Sequence, residues 1–121
     1  MRFLGLDVGT KRTGMAFADS DDGILFSLET VQHSSQEDLV EQVQSVIAQK
    51  QIDEVVLGFP LLLSGKEGSQ AKIVLEFQKK LENVGICSSL LDERYTTPKS
   101  SEFDKDAASA CEIVSIRLQR N

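Results

Sequence analysis

With 121 residues, 40% of them hydrophobic and 26% charged, the chain has the size and composition of one folded domain spanning 1–121 that needs no disulfide staples. Its formal charge of −6 removes the overall basic surplus typical of nonspecific nucleic-acid binders and leaves such binding to a local basic patch or a metal site. One histidine, His33, and two distant cysteines, Cys87 and Cys111, leave too few ligands for a usual zinc site and make any Ser-His-Asp triad depend on His33, so the reactive groups of an enzyme here would be carboxylates.

In chain order, residues 2–8 read as a strand, with Phe3, Gly5 and Asp7 on one face and Leu4, Leu6 and Val8 on the other. An ionised carboxylate among Leu4, Leu6 and Val8 is costly unless a cation meets it, which makes Asp7 the first candidate for function. Gly9 to Arg12 suit a tight connection, residues 13–19 a second strand and 24–31 a third, with Asp19-Ser20-Asp21-Asp22-Gly23 as the turn between them. His33 follows in a polar stretch and reads as an exposed loop residue. Leu39, Val40, Val43, Val46 and Ile47 repeat at helical spacing over 36–50, with Ser35 and Asp38 in a capping arrangement.

Residues 52–59 form a continuous apolar run ending at Pro60, as expected of a buried parallel strand. Leu61 to Gly68 read as a loop partly packed on the core, and Ser69 as the cap of a helix running to about Val84, with Gly85 as its stop. A fifth strand over 86–91 ends in Asp92-Glu93-Arg94-Tyr95-Thr96-Thr97, Pro98 to Phe103 connect, and a last helix starts at Asp104. Both cysteines read as buried thiols. No apolar run approaches membrane-spanning length and the start does not read as a signal peptide, so the expected location is the cytoplasm. The order β-β-β-α-β-α-β-α predicts an α/β fold: a five-stranded mixed sheet, antiparallel over strands 1–3 and then parallel through β-α-β units, with helices on both faces.

Such a sheet would bring the end of strand 5, with Asp92 and Glu93, and the start of the last helix, with Asp104 and Asp106, toward Asp7. Carboxylates from three segments suit a hard divalent cation, and two such ions suit phosphodiester hydrolysis. Each element also has a plain structural reading: a satisfied strand carboxylate at Asp7, a surface ion pair at Glu93-Arg94, helix caps at Asp104 and Asp106.

The blocks LGLDVGTKRTGMA, VLGFP followed by Ser64-Gly65, LLDERYTT and DKDAA resemble, in order and over nearly the whole chain, the motifs of the YqgF/RuvX family. These are small bacterial proteins with an RNase H-like fold, described as Holliday junction resolvases and as pre-16S rRNA nucleases. The resemblance implies that Asp7, Glu93 and Asp104 are catalytic and hold metal, Mg²⁺ or Mn²⁺ as two ions. It implies that Lys11, Arg12 and Arg94 bind substrate phosphate. The implied partner is nucleic acid, structured RNA at the 5′ end of pre-16S rRNA or a four-way DNA junction, the latter calling for a homodimer with two active sites. The chain departs from the family in a shorter Gly65-Lys66-Glu67-Gly68 loop and in having only Pro98 to Phe103 where the family places a helix and a basic segment. Two other readings compete: a noncatalytic RNase H-like binding module in ribosome assembly or transcription, and a phosphate-binding ATPase fragment suggested by Asp7-Val8-Gly9-Thr10, for which 121 residues are too few.

Overall fold

The computed structural model describes residues 1–60, 68–93, 110–111 and 113–117, with residues 60, 92 and 93 described as backbone. The expected loop over residues 61–67, the Pro98–Phe103 connection, and the site candidates Arg94, Asp104 and Asp106 lie outside the described residues, as do Thr96 and Thr97.

Five strands and two complete helices follow in the expected order: β1 (Arg2–Val8), β2 (Arg12–Asp19), β3 (Leu25–Gln32), α1 (Gln36–Lys50), β4 (Glu54–Pro60), α2 (Ser69–Asn83) and β5 (Ser88–Glu93). Residues 110–111 and 113–117 are helical. The strands form one sheet in the order β3-β2-β1-β4-β5. The β1–β2 and β2–β3 pairs are antiparallel, and the β1–β4 and β4–β5 pairs parallel.

Period-2 alternation gives the central strand β1 two buried faces. Leu4, Leu6 and Val8 pack with Met15, Val55 and Leu57 against Leu39, Val40 and Val43 of α1 and Val74, Phe77 and Leu81 of α2. On the opposite face Phe3, Ala16 and Ala18 meet Ala110 and Val114, and Val56 and Leu91 meet Ile113. The small residues let the C-terminal helix lie close to the strands. A Cβ built on Gly5 would come within 2.2 Å of Val114 Cγ2 and 3.0 Å of the Ala110 carbonyl oxygen. Farther along, Arg117 grips Glu54 through Nε (2.7 Å) and Nη2 (3.2 Å), its guanidinium 4.6 Å from the Phe3 ring centroid. The helix therefore runs antiparallel to β1, from the level of Gly5 at Ala110 to that of Phe3 at Arg117, leading away from Asp7.

Local chemistry sets the element ends. The Asp38 N–H donates to Ser35 Oγ (3.1 Å) and the Ser34 N–H to Asp38 Oδ2 (3.0 Å), closing the start of α1 as expected. The start of α2 differs: Gly68 is the N-cap, with no side-chain capping bond, and Ser69 is already helical. Gly85 stops α2 at φ +83°, and the Ile86 N–H still donates to the Leu81 carbonyl (2.9 Å). Residues 86 and 87 thus belong to the helix exit, and β5 begins and ends two residues later than expected. The cysteine expectation fails as well. Cys87 is exposed and Cys111 half-buried, because the first lies in this exit and the second at the edge of the small Phe3–Val114 cluster.

β3 carries a bulge. Thr13 pairs with Val31, but Met15 pairs with Leu28, so β3 has one more residue than β2 between these pairs. Leu28 and Val31, three residues apart, both reach the α1/α2 core only through this phase shift. Among the described residues no helix is long and apolar enough to cross a membrane.

Two outcomes are expected. Gly5→Ala forces Val114 and the helix backbone outward and lowers stability by about 1–3 kcal/mol, read as a lower denaturant midpoint. The Asp21 N–H bond holds the Asp19 carboxyl below its ordinary value of 3.8, partly offset by desolvation and reinforced by Arg2 and the N-terminal ammonium. Because the folded value is the lower one, Asp19 stabilises the fold above its unfolded pKa, and that contribution disappears as pH falls through the folded value. The difference in unfolding midpoint between the wild type and Asp19→Asn should therefore be present near neutrality and vanish in strong acid.

Candidate active site

Asp7 is the penultimate residue of β1 and is half-buried, its neighbours Leu6 and Val8 turning to the opposite face. On that opposite face both are enclosed, whereas Asp7 opens into a cleft of about 410 Å³ lined by Val8, Gly9, Thr10, Lys11, Arg12 and Gln70 as well. In register, Asp7 pairs with Gly14 of β2. On the other side the Leu6–Leu57 pairing, continued by one step, sets it beside Gly58 of β4. The strand positions flanking Asp7 on its own face thus carry no side chain. This leaves room around a hard oxygen donor and fits a divalent cation or a phosphate group bridged to one.

The register separates Asp92 from Glu93. Gly58 pairs with Leu91, Phe59 with Asp92 and Pro60 with Glu93. Alternation puts Glu93 on the face of Gly58 and Asp7, and Asp92 on the other. Glu93 lies within β5, two strand spacings or about 10 Å from β1, at the same end of the parallel strands.

Lys11 and Arg12 are exposed and lie in and beside the β1–β2 turn that roofs the cleft. The turn is tightly built. A Cβ on Gly9 would stand 2.3 Å from the Arg12 carbonyl oxygen. The Gly9 N–H donates to Thr13 Oγ1 (3.4 Å), and the Gln70 side-chain amide donates to the Val8 carbonyl, tying the start of α2 to the end of β1.

His33 departs from its expected place. It is 6% exposed, with Nε2 2.9 Å from Oγ1 of the wholly buried Thr13. The β3 bulge explains this: past it, Val31 and His33 share the phase of Thr13 and turn inward under the start of α1. Neither Thr13 nor Gln70 stands out in the sequence either, since a threonine in a strand and a glutamine in a first helical turn are ordinary there. Only the tertiary structure shows that Gln70 lines the cleft and that Thr13 braces its turn from the other face of the sheet.

A mixed sheet in this order, with helices on both faces and a carboxylate ending the first strand, is the RNase H-like α/β fold. Two solved structures share it. Thermus thermophilus RuvC, in complex with Holliday junction substrate, superposes with a TM-score of 0.62 at 12% identity, over 99% of this chain and 94% of that one. The fowlpox virus Holliday junction resolvase gives 0.54 at 12% identity over 100% of both chains.

Residues 1–117 match the family described as RuvX, Holliday junction resolvase, and the chain belongs to that family. Relatives named "Putative pre-16S rRNA nuclease" include one from Caldanaerobacter subterraneus subsp. tengcongensis, 34% identical over 85% of this chain and 75% of the relative. One from Syntrophus aciditrophicus is 37% identical over 85% and 69%. The relative from Sulfurihydrogenibium sp., 34% identical over 98% and 90%, aligns across 133 positions, more than the 121 residues present here, so it carries residues with no counterpart in this chain.

Gly9→Ala should move the turn, because the clash is with backbone. The expected result is a loss of about 1–3 kcal/mol in denaturant unfolding, with amide chemical-shift changes concentrated at residues 9–13.

Proposed function

We propose that this protein is a divalent-metal-dependent nuclease that hydrolyses phosphodiester bonds in structured RNA, in the processing of the 5′ end of pre-16S rRNA. The observation that carries the reading is the pairing of a carboxylate with a basic turn in one cleft: Asp7, flanked by Gly14 and Gly58, under Lys11 and Arg12. The names of the relatives support the RNA substrate.

In this reading Asp7, Glu93 and Asp104 hold Mg²⁺ or Mn²⁺, as two ions. Glu93 is favoured over Asp92 by its sheet face, and Asp104 is carried by the match of the DKDAA block to the family motif. When bound, the ions supply an activated water and charge stabilisation for the leaving oxygen. The residues themselves do the rest. The carboxylates fix the geometry, Lys11 and Arg12 bind and orient a backbone phosphate, and Arg94 adds a second phosphate contact. The acidic chain concentrates its nucleic-acid contacts on this turn, and action on pre-rRNA puts the protein in the bacterial cytoplasm. A second reading, cleavage of four-way DNA junctions by a homodimer, is favoured by the family's description.

The test is cleavage of a 5′-extended 16S rRNA fragment and of a four-way DNA junction in Mg²⁺ or Mn²⁺. The wild type should cut the RNA, and Asp7→Asn should lose more than the roughly 10–100-fold typical of losing an outer-shell partner of a metal site. Equal rates in the two proteins would refute the role of Asp7. Cleavage confined to the junction would establish the second reading, and absence of cleavage on both substrates would favour a noncatalytic binding module.

A further inference from the structure

We propose that His33 is a positioning residue that locks the basic turn over the cleft, an inference that rests on the nuclease reading for its consequence but not for its geometry. Two bonds from one residue hold the turn. The His33 backbone N–H donates to the Lys11 carbonyl (3.0 Å). Its ring Nε2 meets Thr13 Oγ1 at 2.9 Å, and the same Oγ1 accepts the Gly9 N–H. Gly9, Lys11 and Thr13, the first, middle and following residues of the turn, are thereby tied to a single side chain and its backbone.

The network is buried where the residues it positions are not. Thr13 is wholly buried and His33 nearly so, whereas Thr10, Lys11 and Arg12 are exposed. A flexible turn bearing two long cations would present them in many directions, and each direction lost on binding costs conformational entropy. Fixing the backbone beforehand removes part of that cost.

Two features mark this as more than core filling. An apolar residue at either position would fill the space without needing a partner, yet a hydroxyl and an imidazole are buried together. In addition, His33 Nδ1 finds no hydrogen-bond partner among the described residues, so the ring is held for the bond made by Nε2. A second cleft, lined by Lys11, Arg12, Gln32, His33, Ser34 and Asp38, lies on the far side of the same turn. Lys11 and Arg12 thus line both clefts, and on the second side Arg12 pairs with Gln32 of β3 while His33 holds the Lys11 carbonyl.

The experiment compares wild type, His33→Ala and His33→Gln by amide hydrogen exchange on the full chain, with the RNA affinity of each measured against salt. Gln carries an amide to about the position of Nε2. In His33→Ala, exchange at Gly9 and residues 10–13 should rise about tenfold or more while Val55–Leu57 of β4 keep their wild-type rates, and His33→Gln should return the turn to within about threefold of wild type. The slope of log affinity for an RNA hairpin against log salt should shrink by about one unit in His33→Ala and recover in His33→Gln. Should His33→Ala not fold, the near-isosteric Thr13→Val removes the partner of the ring and is read in the same way.

A folded variant with wild-type exchange in the turn would overturn the proposal. So would acceleration spread evenly over β4 and the turn, which marks general destabilisation, and so would failure of Gln to rescue. If the wild type binds no RNA at any salt concentration, the nucleic-acid reading fails while the exchange data still decide the role of His33.

Discussion

Burial of β1 on both faces is the constraint on which the rest of this protein depends. A strand that is apolar on both sides must be central and covered twice. One side takes Leu4, Leu6 and Val8 into the core of α1 and α2, and the other takes Phe3 and Gly5 under the C-terminal helix. Among the described residues, Asp7 is the point where cover of the second face stops. It is half-open because the described helix lies at Gly5 and Phe3, one and two strand repeats back, and heads away from it. Tight packing at one end of β1 and an accessible carboxylate at the other are two consequences of a single docking geometry.

Around that carboxylate the structure removes bulk and adds charge. Gly14 and Gly58 leave its strand neighbours bare, and the tight connection to β2 brings Lys11 and Arg12 into the same cleft. With a net charge of −6 the molecule cannot rely on a general positive field to attract a polyanion. The position of two cations therefore matters more than it would in a basic protein, and the buried Thr13–His33 bond acts on that position from the opposite face of the sheet.

Much of the fold was legible in the sequence because hydrophobic period reports burial directly. The order of strands and helices, the two faces of β1, the bounds of α1 and the Gly85 stop were all readable from local pattern. Errors arose where a neighbour, and not the segment itself, set the outcome. β5 started late because Ile86 was still closing α2. Ser69 yielded the cap to Gly68, Cys87 came out exposed in the same helix exit, and His33 turned inward because a bulge in β3 changed the phase of everything after it. The spacing of Leu28 and Val31, odd for a strand with one buried face, was the trace of that bulge in the sequence.

The sequence by itself determined the class of fold, the family, and Asp7 as the residue to examine, because alternation and ordered motif blocks are properties of the chain read along its length. Its alternation placed Asp92 and Glu93 together, with only the family motif singling out Glu93, and it gave no sign that Gly14 and Gly58 border Asp7 or that His33 serves the turn. Those relations are set by register between strands distant in sequence, where a shift of one residue exchanges the two faces of the sheet. Only the tertiary structure decides them, since pairing across the sheet, and not position along the chain, determines which side chains share a face.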